Sequence, residues 1–396
     1  MGGWTGVGSG GGLLAVENAG QTSFEIGVSS GGAYFHLRDF LVLDESIFWI
    51  QIDSFPAAPL HQHLEDLPFL GDTTSNQALL FSPSFAPAPS EQPSWPQYTL
   101  PSANLSAPVA PSSSNFTLLI SPTSSNLAAV PQTGCRLRTT LSSGNQQGGG
   151  SWLLDGNGWR QQWLVDGLSP ATNYTVFVIE NNTTVSGPIN IVTKSAAFPC
   201  ALVHSLPYCP SISYAVPLVA PPSPAVAYDA TTLPGNISST ILEYMTNFTT
   251  TLSTFPCGRD MYSPLQTCAD CQTAYRKWLC SVSFPRCSEE SPSTSQSSQS
   301  PAVSALVPQP ANTTQRNPAI PPLQTDYTSL LPCLETCNAV DRACPNFLGF
   351  KCPVVRFNAD KSYGVGFVDS GEVGVQGQGS TGSAQDRWGN VWCNGS

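Results

Sequence analysis

Charge is what this sequence has least of. Lys, Arg, Asp and Glu together make up 10% of the 396 residues, against roughly 25% in an ordinary soluble domain. Basic residues are the scarcer sign: 15 Lys and Arg against 26 Asp and Glu leave a net charge of −11. No block of like charge occurs, which argues against nucleic acid as a partner. Histidine is also rare, with only His36, His61, His63 and His204, and that limits metal and general-base chemistry. No run of 18 apolar residues is present, so no membrane-spanning helix is predicted. Trp392-Cys393-Asn394-Gly395-Ser396 lacks the apolar tail of a lipid-anchor signal, so membrane association is predicted to run through a partner. The opening Met1-Gly2-Gly3-Trp4-Thr5-Gly6 carries neither a basic nor an apolar leader region, so either the true start lies upstream of Met1 or the chain does not enter the secretory pathway.

What is abundant points elsewhere. Nine Trp, eighteen Phe and 40% hydrophobic residues can build real cores, while 36 Pro and 33 Gly suit β-rich modules joined by extended segments. Thirteen cysteines fit bridges in an oxidising compartment better than thiols in a reducing one. Asn-x-Ser/Thr occurs nine times, at Asn104, Asn115, Asn173, Asn181, Asn182, Asn236, Asn247, Asn312 and Asn394, against roughly four expected by chance. Cysteines and sequons together predict the secretory pathway.

Residues 1–81 are predicted as a β-rich region, with Ser23–Val28, Ala33–Leu37 and Ile47–Ile52 as strands. Residues 82–113, dominated by Pro, Ser and Ala, read as a low-complexity insertion too poor in large apolar side chains to order itself. Residues 114–196 read as a β-sandwich, with strands at Phe116–Ile120, Arg136–Leu141, Ser151–Leu154, Trp159–Val165, Tyr174–Ile179 and Ile189–Thr193. Within it, Gly167–Val176 resembles the E–F corner of a fibronectin type III sandwich, in which the Tyr, here Tyr174, bonds back to the upstream backbone. Residues 197–230 form a cysteine loop and Pro-rich linker, and 231–396 a cysteine-rich domain interrupted by a Ser/Gln/Pro-rich segment, 288–322. There Cys268, Cys271, Tyr275 and Trp278 share one helix face, and so do Cys333, Cys337, Val340 and Cys344.

Motifs with chemistry behind them fail on context. Gly27-Val28-Ser29-Ser30-Gly31 fits a nucleophile elbow, but another strand-like run follows where a helix is needed. Gly6–Gly11 fits a dinucleotide loop without a preceding strand. His61 and His63 lack a third metal ligand. Cys268-Ala269-Asp270-Cys271 has neither the second chelating loop of a zinc ribbon nor the strand that leads into a redox pair. No catalytic residue, metal site or cofactor is predicted, and structural bridges take the cysteines. Cys257, Cys268, Cys271, Cys280, Cys287, Cys333, Cys337, Cys344, Cys352 and Cys393 form an even set able to close five bridges in one domain. Cys200 and Cys209 flank a short loop and are predicted to pair. Cys135 is left over as a free thiol, an intermolecular bridge or a cysteine whose partner lies outside this sequence.

Ordered blocks in the second half carry a resemblance. Asp270–Cys280 followed by Phe284-Pro285-Arg286-Cys287, then Leu331–Pro345, Phe347–Pro353, Ser362–Gly366 and Trp388–Asn394, resemble the fungal stretch-activated calcium-channel component, the mating-induced-death family. Phe198-Pro199-Cys200, Leu206–Pro210 and Tyr214–Pro217 extend the likeness upstream, so that it covers most of 195–396. The resemblance implies a frizzled-like, mainly helical cysteine-rich domain, and hence a multidomain α+β chain with its β-sandwich region first. It implies a non-enzymatic accessory role on the outer face of the plasma membrane, bound to a four-repeat, voltage-gated-type pore subunit and supporting calcium influx under stress or stretch. A free structural or adhesive cell-surface glycoprotein is the alternative. Arg286 and Arg342 are solvated charges or contacts to acidic partner loops; Trp278, on the face of two cysteines, reads as core.

Overall fold

The computed structural model describes residues 67–88, 100–106, 109, 111–112, 115–125, 134–138, 142–153, 158–182, 184–255, 257, 262–289, 305–354, 358–364 and 393–395, with the backbone of four strands upstream. Those four are β1 (Gly12–Glu17), β2 (Gly27–Val28), β3 (Phe35–His36) and β4 (Ile47–Ile52). β1 pairs antiparallel with β4, and β2 with β3. The strand entering the Gly27–Gly31 motif is thus followed by a second strand, as a hairpin requires and a nucleophile elbow forbids. His61 and His63 lie outside the described residues.

Seven strands build two facing sheets. β5 (Phe69–Thr73), β6 (Ala78–Phe81), β8 (Asn145–Leu153) and β9 (Trp159–Asp166) form one, in the order β5-β6-β9-β8. β7 (Phe116–Pro122), β10 (Asn173–Glu180) and β11 (Thr184–Val192) form the other, in the order β11-β10-β7. Alternate residues meet between them: Ala78, Leu80, Trp163 and Val165 from the first sheet pack on Leu118, Ile120, Val176 and Ile191 from the second. At the corner anticipated between Gly167 and Val176, the Ser169 N–H donates to Tyr174 Oη at 2.8 Å.

The sandwich starts earlier than its predicted boundary at 114. β6 pairs with β9, Ala78 opposite Val165 and Phe81 opposite Gln162, and the Ser82 and Phe85 N–H groups continue that ladder onto Gln161 and Trp159. The 82–113 stretch therefore leaves and re-enters one sandwich. β6 escapes a pattern search because Ala-Leu-Leu-Phe is apolar throughout: both faces are buried, and alternation vanishes. One further expectation is corrected. Arg136–Leu141 was expected to be a strand, but the chain makes a single helical turn, α1 (Gly134–Leu137), and Leu137 covers Leu119, Phe177, Ile179 and Val185 on the outer face of the three-stranded sheet.

Against the other face of the four-stranded sheet lies a hairpin, β12 (Ala201–Val203) with β13 (Tyr214–Val216). Leu79, Phe81 and Leu164 meet Leu202 and Ala215 there, while Val203, Tyr214 and Val216 face the helices. The expected linker 197–230 is thus a shared wall between two cores. Beyond it stand α2 (Gly235–Leu252), α3 (Cys268–Ser283) and α4 (Leu334–Ala343), with a small sheet of β14 (Arg286–Ser288), β16 (Tyr327–Leu330) and β15 (Leu306–Gln309), in the order β14-β16-β15. α3 starts where Thr267 and Asp270 form a reciprocal capping box and ends at Ser283, with Phe284 as its cap immediately before Pro285. Part of the segment expected to interrupt this domain belongs to it: Ile320 is buried in the main core, and Gln315 Nε2 donates to Tyr327 Oη at 2.7 Å.

Candidate interaction surface

Six bridges form among the described residues: Cys200–Cys287, Cys209–Cys280, Cys257–Cys268, Cys271–Cys344, Cys333–Cys393 and Cys337–Cys352. The cysteines named from sequence are the right ones, but two groupings are corrected. Cys200 does not pair with Cys209, and the ten downstream cysteines close four bridges among themselves, not five. The hairpin gives the reason. Cys200 sits in the core facing the sandwich, with Cys287, whereas Cys209 sits in the core facing the helices, with Cys280. Cys268 and Cys271 take separate partners, so Cys-x-x-Cys here is neither a redox pair nor a metal clamp. Among the described residues one group of ligand-type atoms comes together, Cys333, Glu335 and Cys393, and its two sulfurs are bonded to each other. The side chain of Cys135 lies outside the described residues.

Arg286 was a candidate partner contact; it is spent inside. Only 6% exposed, its Nε donates to Asp72 Oδ2 at 3.0 Å and its Nη2 to the Gly71 carbonyl at 3.0 Å. Asp72, 1% exposed, also accepts from the Ala215 N–H at 3.2 Å and pairs with Lys194 Nζ at 3.8 Å. Three strands converge here: β5 from the sandwich, β13 from the hairpin and β14 from the cysteine-rich part. A bulge in β5 between Leu70 and Asp72 re-aims the carboxylate. A side chain at Gly71 would come within 2.6 Å of the Ser213 carbonyl, which is how closely the parts approach. Sequence reading missed Asp72 and Lys194; two charges in apolar strand contexts of a charge-poor chain were the available signal.

Tyr214 closes this interlock. Its hydroxyl donates to the Phe284 carbonyl (2.9 Å) and accepts from Asn394 Nδ2 (3.0 Å), and burial drives its pKa far above the usual phenol range. Asn394, at 1% exposure, is therefore corrected as a glycosylation site, since the nitrogen that would carry the sugar is the one bonded to Tyr214. The other eight sequon asparagines are exposed. Glycopeptide mass spectrometry of the folded protein should find sugar at members of that set and none at Asn394; a glycan at Asn394 would contradict the buried position.

His204 joins the two parts at a second point. Its Nδ1 lies 3.1 Å from Gln162 Nε2 on β9 and 2.9 Å from Ser205 Oγ. Burial pushes its pKa below the ordinary 6.5, with the Asp229 charge opposing. The unfolded chain therefore takes up this proton first on acidification. The contribution is complete above pH 6.5 and is lost as pH falls through the depressed folded value. Urea unfolding from pH 7.5 downward should show stability declining below about pH 6.5, with a shallower decline for His204→Gln; equal slopes would refute it.

An aromatic rim marks the helical side. Phe248 stacks on Tyr275 with centroids 3.6 Å apart, and Phe350 meets Trp278 edge-on at 5.1 Å. Phe347 packs against Phe255 at 4.5 Å while remaining 61% exposed. Trp278 is half-buried, packed against the edges of three apolar clusters, and its Nε1 donates to Tyr363 Oη at 2.8 Å. Arg342, on α4, is exposed beside this rim's Pro345–Leu348 turn. Two buried polar side chains on α3, Gln272 and Arg276, reach across to residues 101–103. Burial holds the Arg276 guanidinium down, to about 10.

No described helix is long and apolar enough to cross a membrane. The features define a class: a disulfide-stapled, sequon-bearing scaffold of sandwich and helices that fits an extracellular or cell-surface setting. The chain belongs to the family of stretch-activated Ca2+-permeable channel components (Mid1), whose model matches residues 16–378. Among its relatives, a stretch-activated cation channel MID1 of Cryptococcus neoformans var. grubii is 35% identical over 425 residues, covering 96% of this chain and 65% of that protein. The stretch-activated cation channel yam8 of Schizosaccharomyces pombe is 29% identical over 219 residues (52% of this chain, 41% of that one). MID1 of Saccharomyces cerevisiae is 30% identical over 209 residues (49% and 35%). The chain thus spans between about a third and two thirds of these relatives' lengths. No solved structure gives a significant match.

Proposed function

We propose that this protein is an extracellular accessory subunit of a voltage-gated-type calcium channel, docking on outer loops of a four-repeat pore subunit and supporting calcium influx under stress or stretch. The observation that carries this reading is the aromatic rim of Phe255, Phe347 and Phe350 on a frame held by Cys271–Cys344 and Cys337–Cys352. A cross-linked frame presents such side chains at little ordering cost, which is what a binding surface needs, and aromatic anchors dominate interface energetics. Family membership supplies the channel context. Exposed Arg342 supplies a cation for acidic partner loops, where Arg286 supplies none. We read the helical part as a frizzled-like cysteine-rich domain, on the strength of its three helices and four internal bridges.

Tagged protein purified from membranes should bring the pore subunit with it, and loss of the gene should abolish stress-induced calcium uptake. Co-purification that fails, or uptake that persists, sinks the reading. It would favour instead a free cell-surface glycoprotein, for which the eight exposed sequons speak.

A further inference from the structure

We infer that the face of α2 and α3 is a peptide-reading groove, filled in this structure by residues 100–103 of the same chain, and that an extended segment with an acidic side chain displaces them. Gln272 Nε2 donates to the Pro101 carbonyl at 2.8 Å and is itself set by Thr249 Oγ1 of α2 at 2.8 Å. Arg276 Nη2 donates to the Ser102 carbonyl at 3.0 Å, and Nη1 to those of Ala103 at 2.7 Å and Tyr208 at 3.2 Å. Three successive main-chain carbonyls are thus read by two side chains one helical turn apart. Those acceptors exist in every sequence, so the groove selects an extended backbone more than particular side chains. Side-chain contacts come from Leu100, packed among Leu252, Cys268 and Cys271, and from Ala103 on the main helical core.

Charge identifies the competitor. Arg276 is 7% exposed, and among the described residues it forms no ion pair; its acceptors are neutral carbonyls. A buried guanidinium gains most from a carboxylate, which turns neutral hydrogen bonds into charge-assisted ones. The resident segment holds its place by tethering, since the intervening chain joins it to β6 and gives it an effective concentration of order mM. An untethered ligand must outbid that, and an Asp or Glu at the exposed Ser102 position, whose carbonyl Arg276 already holds, supplies the means.

The test uses the purified full chain and therefore stands apart from the channel reading. Two labelled synthetic peptides serve as probes: the sequence of residues 97–106, and the same sequence with Ser102→Asp. Leu100→Ser weakens the resident segment, and intact mass together with unfolding midpoints checks that the six bridges and the fold persist. Fluorescence anisotropy should show the acidic probe binding Leu100→Ser at least tenfold more tightly than the unsubstituted chain, and at least fivefold more tightly than the neutral probe does. Adding Arg276→Gln should erase the preference for the acidic probe. Where that variant misfolds, Gln272→Met, which removes one donor at similar volume, should weaken both probes several-fold. Equal binding to the unsubstituted chain and Leu100→Ser, equal affinity for the two probes, or indifference to the α3 substitution would each overturn the inference.

Discussion

Removing the Cys271–Cys344 bridge, by Ser at both positions, is expected to lower the unfolding free energy by about 4–5 kcal/mol, and removing Cys337–Cys352 by about 3 kcal/mol. The difference follows from loop length: the first bridge spans 73 residues and the second 15, and the longer loop removes more freedom from the unfolded chain. Topology adds to it. Cys271 lies inside the loops closed by Cys200–Cys287 and Cys209–Cys280, and Cys344 lies outside both and inside the one closed by Cys333–Cys393. The Cys271–Cys344 link therefore joins three loops, and its sulfurs tie α3 to the end of α4. Guanidinium unfolding of the oxidised double-Ser variants measures both losses. Equal losses, or a larger one for Cys337–Cys352, would show that the loop argument fails here.

A comparable loss is expected at the interlock. Asp72→Ala should cost about 3–5 kcal/mol, because it strands the Arg286 and Lys194 cations inside the protein with no anion between them. Arg286→Ala should cost a similar amount by leaving the buried Asp72 carboxylate with Lys194 at 3.8 Å as its remaining cation. The informative variant is the pair Asp72→Leu with Arg286→Met: removing both charges should recover much of either single loss, since an apolar pair of similar volume avoids the burial of ions. Urea unfolding of the three variants gives a coupling free energy, expected between about 1 and 3 kcal/mol for groups in direct contact. Additive losses would show that the two charges act independently and that their pairing does not couple the sandwich to the helical part.

Much of the helical half was legible from spacing. Cys268, Cys271, Tyr275 and Trp278 recur with helical period, Pro285 limits the helix, and α3 runs from Cys268 to Ser283. The Trp159, Tyr174 and Phe116 strands declare themselves as runs of seven or eight residues rich in β-branched and aromatic side chains, although much of both faces is buried, one in the sandwich core and the other under the hairpin or Leu137. β6 did not, because a wholly apolar run of four residues is too short for periodicity to tell a strand from a buried helical turn. Pairing of the cysteines stayed hidden for a related reason. Cys200 and Cys209 are neighbours in sequence, yet a two-faced hairpin sends them into different cores, and nothing local records which face each takes. Residues 100–106 were read as low complexity because they offer few large apolar groups. Residues 101–103 among them are held by their carbonyls, which composition does not register. Asp72 and Asn394 likewise gain their roles only from segments more than 100 residues away in the chain.

The Cys200–Cys287 bridge bears on how such a chain responds to a pull. Tension entering through the sandwich at Lys194 and leaving through the cysteine-rich part beyond Glu289 passes across one sulfur–sulfur bond. The stretch between the bridged positions, a sequence separation of 87 and about 300 Å of contour length when extended, is short-circuited and bears no load. While that bond is oxidised, the hairpin, α2 and α3 cannot be drawn out as slack. A load applied at those points is transmitted as through a rod and is not dissipated as through a spring.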